Sequence, residues 1–290
     1  MTFALMYEED FLRHRSTGMH PECPERLISI WNTLSKHRIV DSCDVIPARF
    51  ASSDELARAH NDNFVKNVID ELSEGFGNLD PDTYFSPGSQ EAALKAAGGA
   101  IDTAFAVLDG KVEAAFALPR PPGHHATVKR SMGFCIFNNI AIAAHALLAA
   151  GVERILIFDW DVHHGNGTQD IFYDDPRVLF ISVHQWPHYP GTGRILETGS
   201  NKGQGFTINL PFPSGATDAD YLAVMNLIVE PAAKKFKPQI TLVSAGFDAH
   251  EKDPLGGMRV TSNGFAHMAE RITEIAKQTG KGPCYMLEGG

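Results

Sequence analysis

Apolar residues along this chain occur in two kinds of segment. Short uninterrupted runs, such as Ile155-Leu156-Ile157-Phe158, are typical of strands buried on both faces of a sheet. Longer segments with apolar residues every three or four positions are typical of amphipathic helices. The predicted strands lie at about 2–7, 113–118, 153–159, 178–184, 239–245 and 283–288. The predicted helices lie near 24–37, 61–74, 89–109, 137–150, 218–236 and 262–278. This alternation predicts an α/β fold with a mainly parallel central sheet and helices on both faces.

Polar motifs follow several of these strands. They are Pro-Gly-His-His at 122–125, Asp-Trp-Asp-Val-His-His-Gly at 159–165 and Ser-Ala-Gly-Phe-Asp at 244–248. Open α/β sheets bind ligands at the carboxyl ends of their strands. The long irregular stretches at 119–136 and 185–205 also fall at strand ends, and we expect them to form the walls of a site.

The middle motif contains metal-ligand side chains at alternate positions. In an extended continuation of the strand, Asp159, Asp161 and His163 point to the same face. Asp161 and His163 would supply two zinc ligands, and Asp248 is the best candidate for the third, with the fourth position left for water. A solvated turn or a polar cluster without metal is the alternative reading of an isolated Asp-x-His triplet.

His124 and His125 follow a rigid segment in which proline fixes φ and glycine permits a turn. Next to a metal-bound water, one imidazole could take a proton as general base while the other protonates the leaving amine. A surface turn with exposed histidines explains the dipeptide equally well.

Taken together, the motifs resemble the zinc-dependent histone deacetylase family. The matching segments are 20–26, Arg-Pro-Pro-Gly-His-His at 120–125, Gly-Phe-Cys at 133–135, 159–168, Tyr-Pro-Gly-Thr-Gly at 189–193, 244–248 and Leu-Glu-Gly-Gly at 287–290. Asn166 and Phe247 resemble the class II branch and its bacterial amidohydrolase relatives, some of which deacetylate polyamines. The resemblance implies an arginase/deacetylase-like three-layer α/β/α fold with a metal site at the C-terminal strand ends.

The resemblance also implies roles for individual residues. Zn²⁺ would be held by Asp161, His163 and Asp248, with His124 and His125 as the acid/base pair. Asp159 would orient His124 and, with Ser182, contribute to a structural K⁺ site. Asn166 would contact His125, and because an amide stabilises an imidazolium less than a carboxylate does, His125 should hold its proton less tightly than beside aspartate.

The substrate implied by the resemblance is an acylated lysine peptide, an acetylated polyamine or a related small amide. Gly133, Phe134 and Tyr189 would form a narrow tunnel for the aliphatic stem, and Asp82 would be an acidic residue at its rim. Leu255 stands where some polyamine deacetylases carry a glutamate that selects a distal ammonium. The leucine therefore favours acyl-lysine or a permissive substrate range.

In active family members a tyrosine that stabilises the oxyanion follows Glu-Gly-Gly, whereas this chain stops at Gly290. We expect a shortened version of a longer protein, or else an acyl-amine binding protein with weakened chemistry. A two-manganese ureohydrolase is the third candidate. Such enzymes place an aspartate two residues after the histidine, where this chain has Gly165, so a second metal is not expected.

Composition adds little to this picture. The 290 residues, 43% of them hydrophobic, are expected to form a single catalytic domain, 1–290. The four cysteines are widely spaced, which argues against a disulfide scaffold or a cysteine zinc site. A net charge of −10 disfavours direct nucleic-acid binding and suits cationic substrates. With no signal peptide or membrane span recognisable, we expect a cytoplasmic protein. The sequence does not decide between a monomer and a homo-oligomer.

Overall fold

The fold is built on one large parallel sheet. A computed structural model describes residues 2–290. The strands are β1 (Phe3–Met6), β2 (Asp44–Ile46), β3 (Gly77–Asp80), β4 (Thr83–Phe85), β5 (Ala114–Ala117), β6 (Ile155–Asp159), β7 (Val178–Gln185), β8 (Thr207–Phe212), β9 (Ile240–Ala245) and β10 (Lys281–Leu287). Within the described chain, eight strands form the main sheet in the order β2-β1-β5-β10-β9-β6-β7-β8. All its pairings are parallel, and β3 and β4 form a separate antiparallel hairpin.

Helices cover both faces of the main sheet. They are α1 (Pro24–Lys36), α2 (Ser53–Ala57), α3 (Asp62–Leu72), α4 (Ser89–Leu108), α5 (Asn139–Ala149), α6 (Asn166–Phe172), α7 (Asp218–Val224), α8 (Glu230–Phe236) and α9 (Ser262–Thr279). Short 3₁₀ turns lie at Glu9–Arg13, Val40–Ser42 and Asn201–Gly203, and a π-helical turn, Met225–Val229, joins α7 to α8. None of the helices described between residues 2 and 290 combines the length and apolar character needed to cross a bilayer.

Two apolar clusters fill the space between the helices and the sheet. One packs α4 and α5 against one face, and the other packs α7, α8 and α9 against the opposite face. The central strands β6 and β9 are buried along their whole length, as their apolar sequences predict. The predicted three-layer α/β/α architecture is confirmed.

The elements that the sequence pattern missed are short or lie at the edges. β2 has three residues. β8 is a partly exposed edge strand that contains Pro211. Proline has no backbone N–H to donate to a neighbouring strand, so it is tolerated at the edge of a sheet. Helix α2 carries a signal that could have revealed it. Ser52 accepts a hydrogen bond from the Glu55 N–H, and the Glu55 side chain bonds back to the Ser52 backbone, which is a capping box.

Strand register aligns the polar motifs at one edge of the sheet. Asp159, the last residue of β6, lies opposite Ser244 on β9 and opposite Ser182 on β7. The segments that leave β5, β6, β9 and β10 therefore meet at the same edge. The motifs at 122–125, 159–165 and 244–248 all belong to these segments.

A buried histidine ties down the segment that leaves β5. Nδ1 of His60 is 2.8 Å from the Thr127 carbonyl oxygen, to which it donates, and Nε2 accepts from the Asn138 N–H at 2.9 Å. The second bond requires the neutral ring, because both nitrogens of an imidazolium carry protons and neither can accept. Burial lowers the pKa of His60 from 6.5 to about 4, because an imidazolium would be poorly solvated there.

We expect His60 to make the fold acid-sensitive. Between pH 6.5 and about 4 the unfolded chain binds a proton on His60 that the folded protein does not, so the free energy of unfolding falls as the pH drops through this window. The loss attributable to His60 is about 3 kcal/mol. Denaturant unfolding at several pH values should show a steeper pH dependence for wild type than for His60→Phe. Equal slopes would contradict the expectation.

Candidate metal centre and active site

The segments after β6 and β9 bring Asp161, His163 and Asp248 together. Their candidate ligand atoms all lie within 4.8 Å of one another. Nδ1 of His163 is 3.0 Å from Oδ1 of Asp161 and 2.9 Å from Oδ2 of Asp248. Gly246 permits this approach, because a Cβ at that position would overlap the Asp161 carboxylate. The three residues predicted as metal ligands thus form one cluster.

The donors of this cluster fit a divalent cation. Nδ1 of His163 lies near both carboxylates, and among residues 2–290 the buried Oδ2 atom of Asp161 has no hydrogen-bond partner. Unpaired buried carboxylate oxygens are costly unless a cation or a hydrogen bond compensates them. Two carboxylates and one imidazole are also ligands that zinc accepts, with room for a fourth.

Electrostatics at the cluster favour positive charge. Burial lowers the pKa of His163, but the carboxylates of Asp161 and Asp248 outweigh it and raise this pKa to about 10. A metal ion must displace the proton that these groups attract, so metal binding competes with protonation.

His124 lies beside the cluster and is held by buried carboxylates. Its Nδ1 is 2.9 Å from Oδ2 of Asp159, and its Nε2 is 3.9 Å from Oδ2 of Asp161. The Glu288 carboxylate accepts hydrogen bonds from the backbone N–H groups of Gly123 and His124. Burial lowers the pKa of His124, but the charges of Asp159 and Asp161 raise it well above its ordinary value. His124 is therefore the member of the pair that keeps a proton.

His125 has the opposite electrostatic environment. Its Nδ1 is 2.7 Å from Oδ1 of Asn166, an acceptor, so Nδ1 carries the proton and Nε2 is left with a lone pair. Burial, and then the neighbouring charges of His124 and His163, hold the pKa of His125 well below its ordinary value. The two rings are adjacent, with centroids 4.0 Å apart. One neutral and one charged imidazole thus stand side by side.

These groups lie in a cavity of about 510 Å³. Its lining includes all the sequence-predicted site residues except Asp159, Asn166 and Ser182. Asp159 and Asn166 each bond to one of the two histidines. The predicted residues in the lining are Asp82, His124, His125, Gly133, Phe134, Asp161, His163, Tyr189, Asp248 and Leu255. The cavity is therefore the candidate active site.

Aromatic and apolar side chains form the walls and mouth of the cavity. Phe134 lines it on one side, and Tyr189 stands perpendicular to the His125 ring, with centroids 5.2 Å apart. Leu255 is 53% exposed at the mouth, where the polyamine-type glutamate would stand. These walls suit a ligand whose apolar stem lies between the aromatic rings and whose polar end reaches the metal-ligand cluster.

Sequence reasoning missed several residues at this site. His188 stacks on His163, with centroids 4.8 Å apart, and Arg26 donates hydrogen bonds to the carbonyls of Glu288 and Gly290. Both line the cavity. His188 directly precedes the Tyr-Pro-Gly-Thr-Gly motif and Arg26 ends the motif at 20–26, so each adjoins or belongs to a segment with a recognisable sequence signal.

A buried arginine anchors the segment that carries the histidine pair. Arg120 is fully buried, pairs with Glu22 and donates to the carbonyls of Phe11 and His14 at 2.7 and 2.8 Å. It also donates to the hydroxyl of Tyr84 at 2.9 Å. A buried guanidinium is stable only when its charge is paired and its N–H donors have acceptors, as they do here. Arg120 therefore fixes the start of the motif at 120–125.

Comparison with known families decides which class of protein carries this site. The model of the family described as "Histone deacetylase domain" matches residues 20–290. The chain belongs to the histone deacetylase family. The ureohydrolase alternative is thereby set aside.

Individual relatives agree with the histone deacetylase assignment. The chain is 43% identical over 294 residues to a probable deacetylase of Archaeoglobus fulgidus, covering 100% of this chain and 81% of the relative. It is 41% identical over 305 residues to histone deacetylase 5 of Arabidopsis thaliana, covering 99% of this chain and 46% of the relative. A crystal structure of the HDA15 HD domain superimposes with a TM-score of 0.96 at 39% identity, covering 100% of this chain and 83% of that one. Membership of the histone deacetylase family supports a hydrolase with deacetylase activity.

Proposed function

We propose that this protein is a zinc-dependent amidohydrolase that removes acetyl or similar acyl groups from lysine side chains. The observation that carries the proposal is the position of the metal-ligand cluster. Asp161, His163 and Asp248 lie in the same cavity as a neutral and a charged histidine. Hydrolysis of an amide needs an electrophile, a base and a proton donor in one place.

Asp161, His163 and Asp248 would hold the zinc ion. When bound, zinc would supply Lewis acidity toward the acyl carbonyl and lower the pKa of a bound water. The protein's own contribution is to keep these ligands buried and close together, with the remaining side of the cluster facing the cavity.

The histidine pair would move the protons. Nε2 of His125, left with its lone pair by the Nδ1 bond to Asn166, takes the proton of the attacking water and passes it to the leaving amine. His124, held as an imidazolium by Asp159, offsets the negative charge that develops on the former carbonyl oxygen. The opposite pKa directions of the two rings support this division.

The walls of the cavity support an acyl-lysine substrate. An extended aliphatic stem between Phe134 and Tyr189 would gain about 0.8 kcal/mol for each buried methylene. An acetylated polyamine has a similar stem but carries a second ammonium, for which Leu255 supplies no charge. The uncharged side chain at position 255 therefore favours the lysine substrate.

We expect the zinc-loaded protein to release acetate from an acetyl-lysine peptide with a higher kcat/KM than from acetylspermidine. Both substrates can be assayed by the same acetate readout, with the peptide lacking the acetyl group as the blank. The matched comparison variant is Leu255→Glu, which should shift the ratio toward acetylspermidine. A wild-type preference for acetylspermidine would overturn the choice of substrate class and leave the hydrolase in place.

A further inference from the structure

The tunnel wall at Gly133 and Phe134 has an uncommon backbone. Both residues have positive φ, 57° at Gly133 and 70° at Phe134. Glycine adopts this conformation freely, whereas a phenylalanine there is strained and persists only where its surroundings enforce it. A side chain at position 133 would also overlap the His125 ring, which fixes glycine at this position. Something outside this segment must therefore hold Phe134 in place.

The turn and first residue of the β3–β4 hairpin supply the hydrogen bonds that do so. Oδ1 of Asp82 accepts from the Gly133 N–H at 3.0 Å, and Oγ1 of Thr83 accepts from the Phe134 N–H at 3.2 Å. The Thr83 hydroxyl in turn donates to Oδ1 of Asp82 at 3.0 Å. The backbone N–H groups of both left-handed residues are thus hydrogen-bonded to side chains of the hairpin.

The hairpin is itself fixed to its surroundings. Arg130, just before the tunnel segment, forms an ion pair with Asp80 at the end of β3. On the other strand, the Tyr84 ring contacts His20, whose ring also packs edge-on against Phe134, with centroids 4.7 Å apart. Contacts from the hairpin therefore reach Phe134 through its backbone and through its ring.

Thr83 cannot contact a substrate. It is 1% exposed and lies outside the cavity lining, whereas Asp82 is part of that lining. Any effect of Thr83 on the tunnel must pass through Asp82 or through the backbone of Phe134.

We propose that Asp82 and Thr83 are positioning residues that hold Phe134 in its left-handed conformation and so keep the tunnel shaped for a linear aliphatic stem. The proposal rests on the acyl-lysine function proposed above, and it gives Asp82 an inward structural role besides that of an acidic rim residue. The proposed role predicts that a variant affects one part of the cavity and not the other. Loss of the Thr83 hydroxyl should weaken binding of the stem and leave the bottom of the cavity intact.

The test compares two hydroxamates that share a metal-binding group. Acetohydroxamate reaches only the bottom of the cavity, whereas octanohydroxamate also places an alkyl stem between the walls. For Thr83→Val in the zinc-loaded protein we expect octanohydroxamate to bind about tenfold more weakly, because the partly buried Phe134 N–H loses its acceptor. Acetohydroxamate should bind as in wild type. In turnover of an acetyl-lysine peptide, KM should rise by a similar factor with kcat little changed.

Matched variants separate positioning from general damage. Thr83→Ser restores the hydroxyl and should restore octanohydroxamate affinity. Thr103→Val removes another buried threonine hydroxyl, one that donates to the Gly99 carbonyl within α4, and should change neither affinity. If Thr83→Val does not fold, Asp82→Ala at the partly exposed turn should give the same selective loss.

The outcomes distinguish the two proposals. Equal octanohydroxamate affinity in wild type and folded Thr83→Val, or an equal loss for both ligands, would overturn the positioning role while leaving the hydrolase intact. If zinc-loaded wild type binds neither hydroxamate, the proposed function itself fails, and the tunnel role fails with it.

Discussion

Asp248→Ala is expected to lose its zinc. The variant removes one of only three candidate ligands in the cluster and leaves the Asp161 carboxylate and the His163 imidazole to bind alone. Zinc sites in proteins need about three protein ligands or more, so two should not retain the ion against dialysis. Metal analysis after dialysis should fall from about one zinc ion per wild-type chain to about none.

Asp253→Asn is the matched control for this variant. Asp253 also lines the cavity, but its Oδ1 accepts hydrogen bonds from the N–H groups of Leu255 and Gly256, which an asparagine oxygen can also accept. We expect this variant to keep its zinc. Equal zinc content in wild type and Asp248→Ala would refute the ligand assignment, and zinc loss from both variants would point to general unfolding.

His125→Ala is expected to keep zinc and lose most turnover. His125 is outside the ligand cluster, and its ring bonds to Asn166, so removing it leaves Asp161, His163 and Asp248 in place. Loss of a general base costs about 10²–10⁴ in rate. The zinc content of His125→Ala should therefore equal that of wild type, whereas its kcat with an acetyl-lysine peptide should be strongly reduced.

The comparison for this prediction is His267→Ala, which removes an exposed histidine on α9. It should match wild type in both measurements. Turnover of His125→Ala within a few-fold of wild type would show that another group takes the water proton. Loss of zinc from His125→Ala would mean that this histidine supports the metal cluster directly.

The core of the site could be predicted from sequence because its parts lie at strand ends. Uninterrupted apolar runs located β6 and β9, and the polar residues that follow them had to meet at one edge of a parallel sheet. Asp161, His163 and Asp248 could therefore be grouped from sequence alone. The roles of Asn166, Asp159 and the tunnel residues came from family resemblance rather than from spacing.

Contacts that join distant segments could not be predicted in this way. Thr83 contacts Phe134 from a three-residue strand that is too short to show a hydrophobic period. His60 bonds to Thr127 and Asn138, which lie far along the chain in and just after the irregular segment that follows β5. Such pairings depend on how loops fold over the sheet, which local propensity does not determine.

Some sequence-based expectations stay predictions. A potassium ion beside Asp159 and Ser182 is one of them. The two residues are neighbours in register, and the Ser182 hydroxyl already pairs with His184 at 2.9 Å. The cytoplasmic location, the single-domain organisation and the oligomeric state are others.

The most direct test of the proposed chemistry is acetate release from an acetyl-lysine peptide by one protein preparation in three metal states. The zinc-loaded protein should turn over the peptide, the chelator-stripped protein should not, and added zinc should restore the rate. Undiminished hydrolysis in the stripped protein would contradict the role of the Asp161, His163 and Asp248 cluster. Peptide binding without any turnover in the zinc-loaded state would instead identify an acyl-amine binding protein.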